Sequence, residues 1–166
     1  EHSNDTDRDV SGMVNIPVIQ DKLAIRLVGF TSNEAGYIDN VLVTSQPDQW
    51  ADARIAAGLP LGEAFDNSNN VDDDVNSTKT VGGRAATRWL VNDDWTVDIA
   101  GILQNTDVDG FGDVDLGLGE LEQGRFEDED LKDNWYQLSL GLEGNLGFAD
   151  TVLTGSYVNR DLTYEA

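Results

Sequence analysis

The sequence predicts an all-β fold, an antiparallel up-and-down meander. Three observations carry that expectation. Apolar residues recur at every second position over stretches about ten residues long, the spacing of a strand with two unlike faces. Short turns and long polar loops alternate between these stretches. On four of the strands the charges fall on one parity only.

Glu1 to Asp9 is charged and reads as irregular, and Ser11 to Ile16 reads as a short strand entering a turn at Pro17. The strand from about Lys22 to Ser32 has Leu23, Ile25 and Leu27 on one face and Ala24, Arg26 and Val28 on the other. Asn33 to about Ser77 carries no clear period of two. It contains Asp66-Asn67-Ser68-Asn69-Asn70 and Asp72-Asp73-Asp74, both turn-like and solvated in composition. Within it, Gln49 to Gly58 suggests a helical turn or two, ended by Gly58 and Pro60. A loop of this length is usually functional where it occurs.

Alternation returns from Thr78 to Leu90, with Arg84 and Arg88 on one parity and Val81, Ala85 and Trp89 on the other. A tight turn at Val91-Asn92-Asp93-Asp94 leads into Trp95 to Gln104, and the two strands read as a hairpin. Asn105 to Asp133 reads as a second long acidic loop. The pattern resumes from Asn134 with Tyr136, Leu138, Leu140 and Leu142. Asn145 to Asp150 is a further short turn, Thr151 to Arg160 a further strand, and a loop is expected to begin near Thr163.

Composition narrows the function classes. Ten Lys and Arg face 32 Asp and Glu, a net charge of −22. Nucleic acid is excluded as a natural partner, because phosphate binding needs a basic surface, whereas cations are attracted. Cysteine is absent and His2 is the single histidine, so thiolate chemistry, zinc clusters and histidine triads are not expected. The N-terminus lacks the apolar core of a secretory signal, and no apolar run reaches the length of a membrane helix. A membrane β-barrel remains open, because its alternating strands leave little hydropathy signal.

Short turns at one end and long loops at the other match the layout of outer-membrane barrels. Trp89, Trp95, Trp135, Tyr136 and Phe148 lie near strand ends, as in interfacial girdles. An arginine facing lipid at the midplane costs roughly 2–4 kcal/mol. Arg26, Arg84 and Arg88 are therefore assigned to a lumen, with Asp98, Gln104, Gln137 and Glu143. The opposite faces carry no charge. A soluble sandwich would show the same segregation.

VNIPVIQDKLAIRLVGFTSNEAGYIDNV, VGGRAATRWLVNDDWTVDIAGILQ, Gln123-Gly124-Arg125-Phe126, the Tyr136 to Leu142 strand and Thr154 to Asp161 follow one another in a series. That series, from about Ser11 to Asp161, resembles the barrel of TonB-dependent outer-membrane receptors of the iron-complex-receptor-like group. The resemblance implies a single region, residues 1–166, that is a partial segment of a transmembrane outer-membrane β-barrel with long acidic external loops. A signal peptide, TonB box, plug and the remaining strands of a barrel of about 22 strands would lie elsewhere. It implies the outer membrane of a Gram-negative bacterium and active uptake of a scarce small-molecule ligand such as a ferric siderophore. It also implies contact with outer-membrane lipid, and with the TonB complex only through the absent plug. The activity implied is transport, not catalysis.

Among candidate sites, Asn105, Asp107 and Asp109 present oxygens at alternate positions before Gly110, as in the first half of a calcium loop, and Asp113 adds a carboxylate. Leu116 stands where such a loop needs a bidentate Glu, so the alternative is an ordinary solvated Asp/Gly loop. No other cofactor is expected. Asp72-Asp73-Asp74 and Glu127-Asp128-Glu129-Asp130 are charge runs, read as solvated surface or as divalent-cation bridges to lipopolysaccharide. Nothing fixes two of these carboxylates at a catalytic separation. Arg26, Arg84 and Arg88 would meet an anionic ligand or plug, or pair with neighbouring strands. Two further readings stand beside the receptor: a soluble secreted acidic β-domain binding calcium or glycan, and a small complete outer-membrane barrel.

Overall fold

The structure is a computed structural model, and it describes residues 6–45, 55–58 and 65–165. Its strands are β1 (Arg8–Ile19), β2 (Leu23–Glu34), β3 (Asp39–Asn40), β4 (Ser77–Leu90), β5 (Trp95–Asp109), β6 (Glu122–Gln123), β7 (Asp130–Asn145) and β8 (Asp150–Glu165). Six form one sheet in the order β1-β2-β4-β5-β7-β8, each antiparallel to its neighbours, and β3 pairs with β6 in parallel. The all-β meander is therefore present, as an open sheet with β1 and β8 at its edges.

Several boundaries differ from the reading of the sequence. β1 runs through Pro17 to Ile19, with a register shift between Pro17 and Ile19. A proline is tolerated there because β1 is an edge strand and its missing N–H can face outward. The turn falls instead at residues 20–22, where Lys22 N–H donates to the Ile19 carbonyl at 3.1 Å and Asp21 has a φ of 57°. Strands β5 and β7 continue well into the stretch read as a loop, so the second long connection is only residues 110–129. Strand β8 likewise runs on to Glu165, where a loop was expected. Of the helical turn expected from Gln49 to Gly58, residues 55–58 are described; they close with Gly58 N–H on the Ile55 carbonyl at 3.0 Å. The rest of it, and Pro60, lie outside the described residues.

Two of the three turns opposite the long loops are held by asparagine. Asn92 Oδ1 accepts from the Asp94 and Trp95 N–H groups, both at 2.9 Å. Asn145 Oδ1 accepts from Gly147 N–H at 2.6 Å, and Gly147 takes a φ of 84° that other residues adopt at a cost.

Register fixes the faces. Directly opposed residues share a side, and one side collects Val14, Ile25, Leu27, Ala85, Ile99, Leu103, Leu138, Leu140 and Leu153. Nothing charged interrupts it from Trp95 to Leu103, roughly 26 Å along β5 at ~3.3 Å per residue. Beyond Leu103 the same side becomes Asn105, Asp107 and Asp109, facing Asn134, Lys132 and Asp130. The other side carries Arg26, Arg84, Arg88, Asp98, Gln104, Gln137 and Glu143, as expected from parity. Trp135 does not join the aromatic residues of the apolar side: it lies opposite Gln104 and Arg160 on the polar one. Trp95 lies over Gly144, where a Cβ would meet its ring.

This is one layer. Ile38, in the first long loop, is the sole buried hydrophobic residue among the described residues; Leu103, Leu138, Leu140 and Leu153 are each more than half exposed.

Candidate functional site

The described residues of the long loops, 35–45, 65–76 and 110–129, do not extend separately into solvent. They knit into a small head at one end of the sheet. Strands β3 and β6 are its seam: Asp39 N–H donates to the Leu121 carbonyl at 3.0 Å and Val41 N–H to the Gln123 carbonyl at 2.9 Å. Asn40 N–H and the Asp72 carbonyl add a link of 2.8 Å within the first loop. Phe65 meets Phe126 edge to face, with ring centroids 5.1 Å apart. Phe111 meets Tyr164 of β8 in the same way at 5.3 Å.

The head is held by carboxamides rather than by apolar side chains. Asn67 is 2 % exposed. Its Nδ2 donates to the carbonyls of Val41 (2.8 Å) and Arg125 (3.0 Å), and its Oδ1 accepts from Val43 N–H (2.7 Å). Asn40, also buried, donates from Nδ2 to the carbonyls of Asn70 (2.6 Å) and Arg125 (3.1 Å). Its Oδ1 accepts from Arg125 N–H at 2.7 Å. Asn76 Oδ1 accepts from the Tyr37 and Ile38 N–H groups at 2.7 and 2.9 Å. Buried loop backbone needs such partners, because an unpaired peptide group away from water costs about 1–3 kcal/mol. The Asp66 to Asn70 stretch is thus a turn, as its composition suggests, but Asn67 within it is a buried strut and not solvated surface.

Close backbone approach completes the knit. Gly110 has a φ of 78°, and a Cβ there would meet the Val75 carbonyl; a Cβ on Gly36 would meet that of Asp74. Asp115 Oδ2 accepts from Gly124 N–H at 2.8 Å, tying the second loop to itself.

A cavity of about 300 Å³ opens in this head. Asp72, Asp73 and Asp74 line it from the first loop, Glu127, Asp128 and Glu129 from the second, and Asp109 from the end of β5. The two charge runs, distant in sequence, share one space. Among the described residues Arg125 is the single basic residue of the lining; its guanidinium lies 3.6 Å from Glu129 and 3.8 Å from Asp113, and its buried Nε makes no hydrogen bond to a described residue. Asp109 lies beyond the apolar band. Desolvation of its carboxyl, then the charges of Asp130, Asp128 and Asp72, push its pKa above the ordinary carboxylate value. Gln123, 3 % exposed, also lines the cavity, and its Oε1 is buried without a hydrogen-bond partner among the described residues.

The calcium-loop residues are arranged differently from that reading. Asn105, Asp107 and Asp109 lie in the regular ladder of β5, in a row on one side, where alternate residues are about 6.6 Å apart. They do not wrap a common centre. Asp113 lies past the strand, near Arg125. Among the described residues, no group of three or more His, Cys, Asp or Glu is placed to hold a metal ion.

The polar side of the sheet forms a second candidate region. Arg88 and Asp98 make a bidentate pair, 2.8 Å from Nε and 2.7 Å from the second guanidinium nitrogen. Arg160 and Asp133 repeat it at 2.7 and 2.8 Å. Arg26 Nε donates to Asn15 Oδ1 at 2.7 Å, and Gln104 Nε2 donates to Thr106 at 3.2 Å. Arg84 has no ion-pair partner among the described residues; it lines a shallow concavity with Ala86, Arg88, Asp98, Ala100 and Ser139. The wall-pairing reading therefore describes Arg88, and Arg84 is the basic group left facing open space.

Sequence reasoning missed the buried amides Asn40, Asn67 and Gln123 and the half-buried Asn76. Their one sequence signal was asparagine density, which reads equally as turn. Compared with protein-family models, curated proteins and solved structures, the chain matches none.

Proposed function

We propose that this chain is part of the wall of a TonB-dependent outer-membrane receptor, a transport protein that takes up a scarce ligand such as a ferric siderophore. One observation supports it above the others: a single-layer meander with an unbroken uncharged band on one side and ion pairs on the other. A soluble domain would cover such a band with a second layer, and no second layer covers it among the described residues. The band measures roughly 26 Å along β5 at ~3.3 Å per residue, against a lipid-facing belt roughly 25 Å tall in barrels of this kind. Strand tilt shortens the projected height somewhat.

In this reading the short turns face the periplasm and the acidic head faces outward. Further strands continue from the edges β1 and β8, since open edges do not persist in hydrocarbon. Lipid contacts the Leu138–Leu140 side, and a plug outside this chain engages TonB. Arg84 and the Arg88–Asp98 pair line the lumen, where they meet plug or ligand.

The sequence contains no cysteine, so single substitutions report cleanly. Ser139→Cys and Ala100→Cys should react with an aqueous maleimide in purified outer membranes. Leu140→Cys and Ile99→Cys should react only after detergent denaturation. Equal labelling of both parities, or recovery of the protein in a soluble fraction, rules the reading out.

A further inference from the structure

Two adjoining hollows open on the polar side of the sheet, of about 500 and 180 Å³, and Arg84, Ala100 and Ser139 line both. That side is the concave one. Along β7, Trp135, Gln137 and Ser139 are half-buried, whereas Tyr136, Leu138 and Leu140 on the other side are exposed. We propose that these hollows bind a small hydroxylated carboxylic acid, a sugar acid for example, with its carboxylate on Arg84.

The charge of the occupant follows from Arg84. Of the other arginines on this side, Arg88 is held by Asp98, Arg160 by Asp133 and Arg26 by Asn15. Arg84 has no ion-pair partner among the described residues, in a chain of 32 Asp and Glu against ten Lys and Arg. Its cross-strand neighbours, Val28 and Ile102, are apolar, and the next residue along its side, Ala86, is too short to cover it. A guanidinium left open in this way presents the planar fork that a carboxylate matches with two parallel hydrogen bonds.

The rest of the lining sets the remainder of the ligand. Asp98 and Glu143 line the larger hollow nearer the turns, and Asp98 already neutralises Arg88. A second anionic group placed there would meet like charge, so the ligand carries one. Between these ends stand Ser139, Thr154 and Ser156, with Gln137 in the smaller hollow. Ser139 Oγ donates to the Ala100 carbonyl at 3.4 Å, which leaves its oxygen as an acceptor. Neutral hydroxyl and carboxamide groups of this kind pair with ligand hydroxyls.

As the substrate class of the proposed transporter, the inference rests on that reading; as a binding site it rests on the concave side alone. The test uses the full-length protein carrying this chain, purified in detergent and titrated calorimetrically with sodium glucuronate. Saturable binding is expected. Arg84→Gln should weaken it about tenfold or more, the loss of a charge-assisted pair. Arg84→Lys, which keeps the charge and loses the fork, should weaken it severalfold. Lys22→Gln, in the turn outside the hollows, should leave it unchanged. Absence of saturable heat overturns the proposal, as does equal affinity in Arg84→Gln. So does binding of glucose or of inorganic phosphate as tight as that of glucuronate, since the first needs no guanidinium and the second no hydroxyl-lined hollow. Heat-modifiable gel mobility of the same sample reports on the barrel separately, so a failed site and a failed barrel are told apart.

Discussion

Replacing Asn67 by alanine should open the head while leaving the sheet intact. The side chain satisfies three backbone groups: the carbonyls of Val41 and Arg125, and the N–H of Val43. It is 2 % exposed, so water cannot replace it without disrupting the head. Each buried group left unpaired costs about 1–3 kcal/mol. Partial relaxation and non-additivity keep the total below the sum, and we expect about 4 kcal/mol. At ~1.4 kcal/mol per decade this is a shift of roughly a thousandfold in the opening equilibrium. Native-state hydrogen exchange measures it residue by residue. The Val43 amide should exchange about a thousandfold faster, while amides in the central β4–β5 ladder should keep their rates. Asn67→Asp retains the acceptor, loses both donors and sets a charge against two carbonyls, so it should be at least as damaging. Unchanged exchange at Val43, or equal acceleration in β4 and β5, would refute the view that carboxamides hold the head as a separate unit.

Three further outcomes are expected. Gly144→Ala should displace the Trp95 ring, lowering stability by about 1–3 kcal/mol and changing tryptophan emission. On the two sides of the sheet, Leu140→Arg should cost about 2–4 kcal/mol in urea titrations of liposome-inserted protein. Arg88→Met should cost at most about 1 kcal/mol there, because that ion pair is solvated. Asp109→Asn should slow proteolysis of the head at pH 7. A carboxyl whose folded pKa is raised weakens the fold while ionised, and the penalty vanishes as pH falls through the raised value toward the ordinary one. The variant's advantage should therefore shrink on acidification to about pH 4, near the unperturbed value.

The sheet was legible because, along the apolar band, each strand keeps one environment per side. Leu23, Ile25 and Leu27 alternate with Arg26 for the same reason that Ile99 and Leu103 alternate with Asp98. The ends of β5 and β7 were not legible. Hydropathy reports where the apolar band stops, at Leu103 and Tyr136, whereas the hydrogen-bond ladder continues to Asp109 and Asp130. Trp135 misled for a related reason: position along the strand suggested a girdle, while parity places it beside Arg160. The head was opaque because burial of a polar residue depends on partners far along the chain. Asn67 is fixed by Arg125, 58 residues on, and Asn40 by the same residue at a separation of 85. No local pattern distinguishes such an asparagine from one in a solvated turn.

Those separations also set an order of assembly. The hairpins β1–β2, β4–β5 and β7–β8 each close through a turn of a few residues, so they can form as soon as their own segments are present. The first long loop meets the second through the β3–β6 seam, where Asp39 and Asn40 pair with Glu122 and Gln123. Gln123 and Arg125 thus tie together the loop that joins β2 to β4 and the loop that joins β5 to β7. The head thus acts as a clasp between two strand connections that lie far apart in the chain.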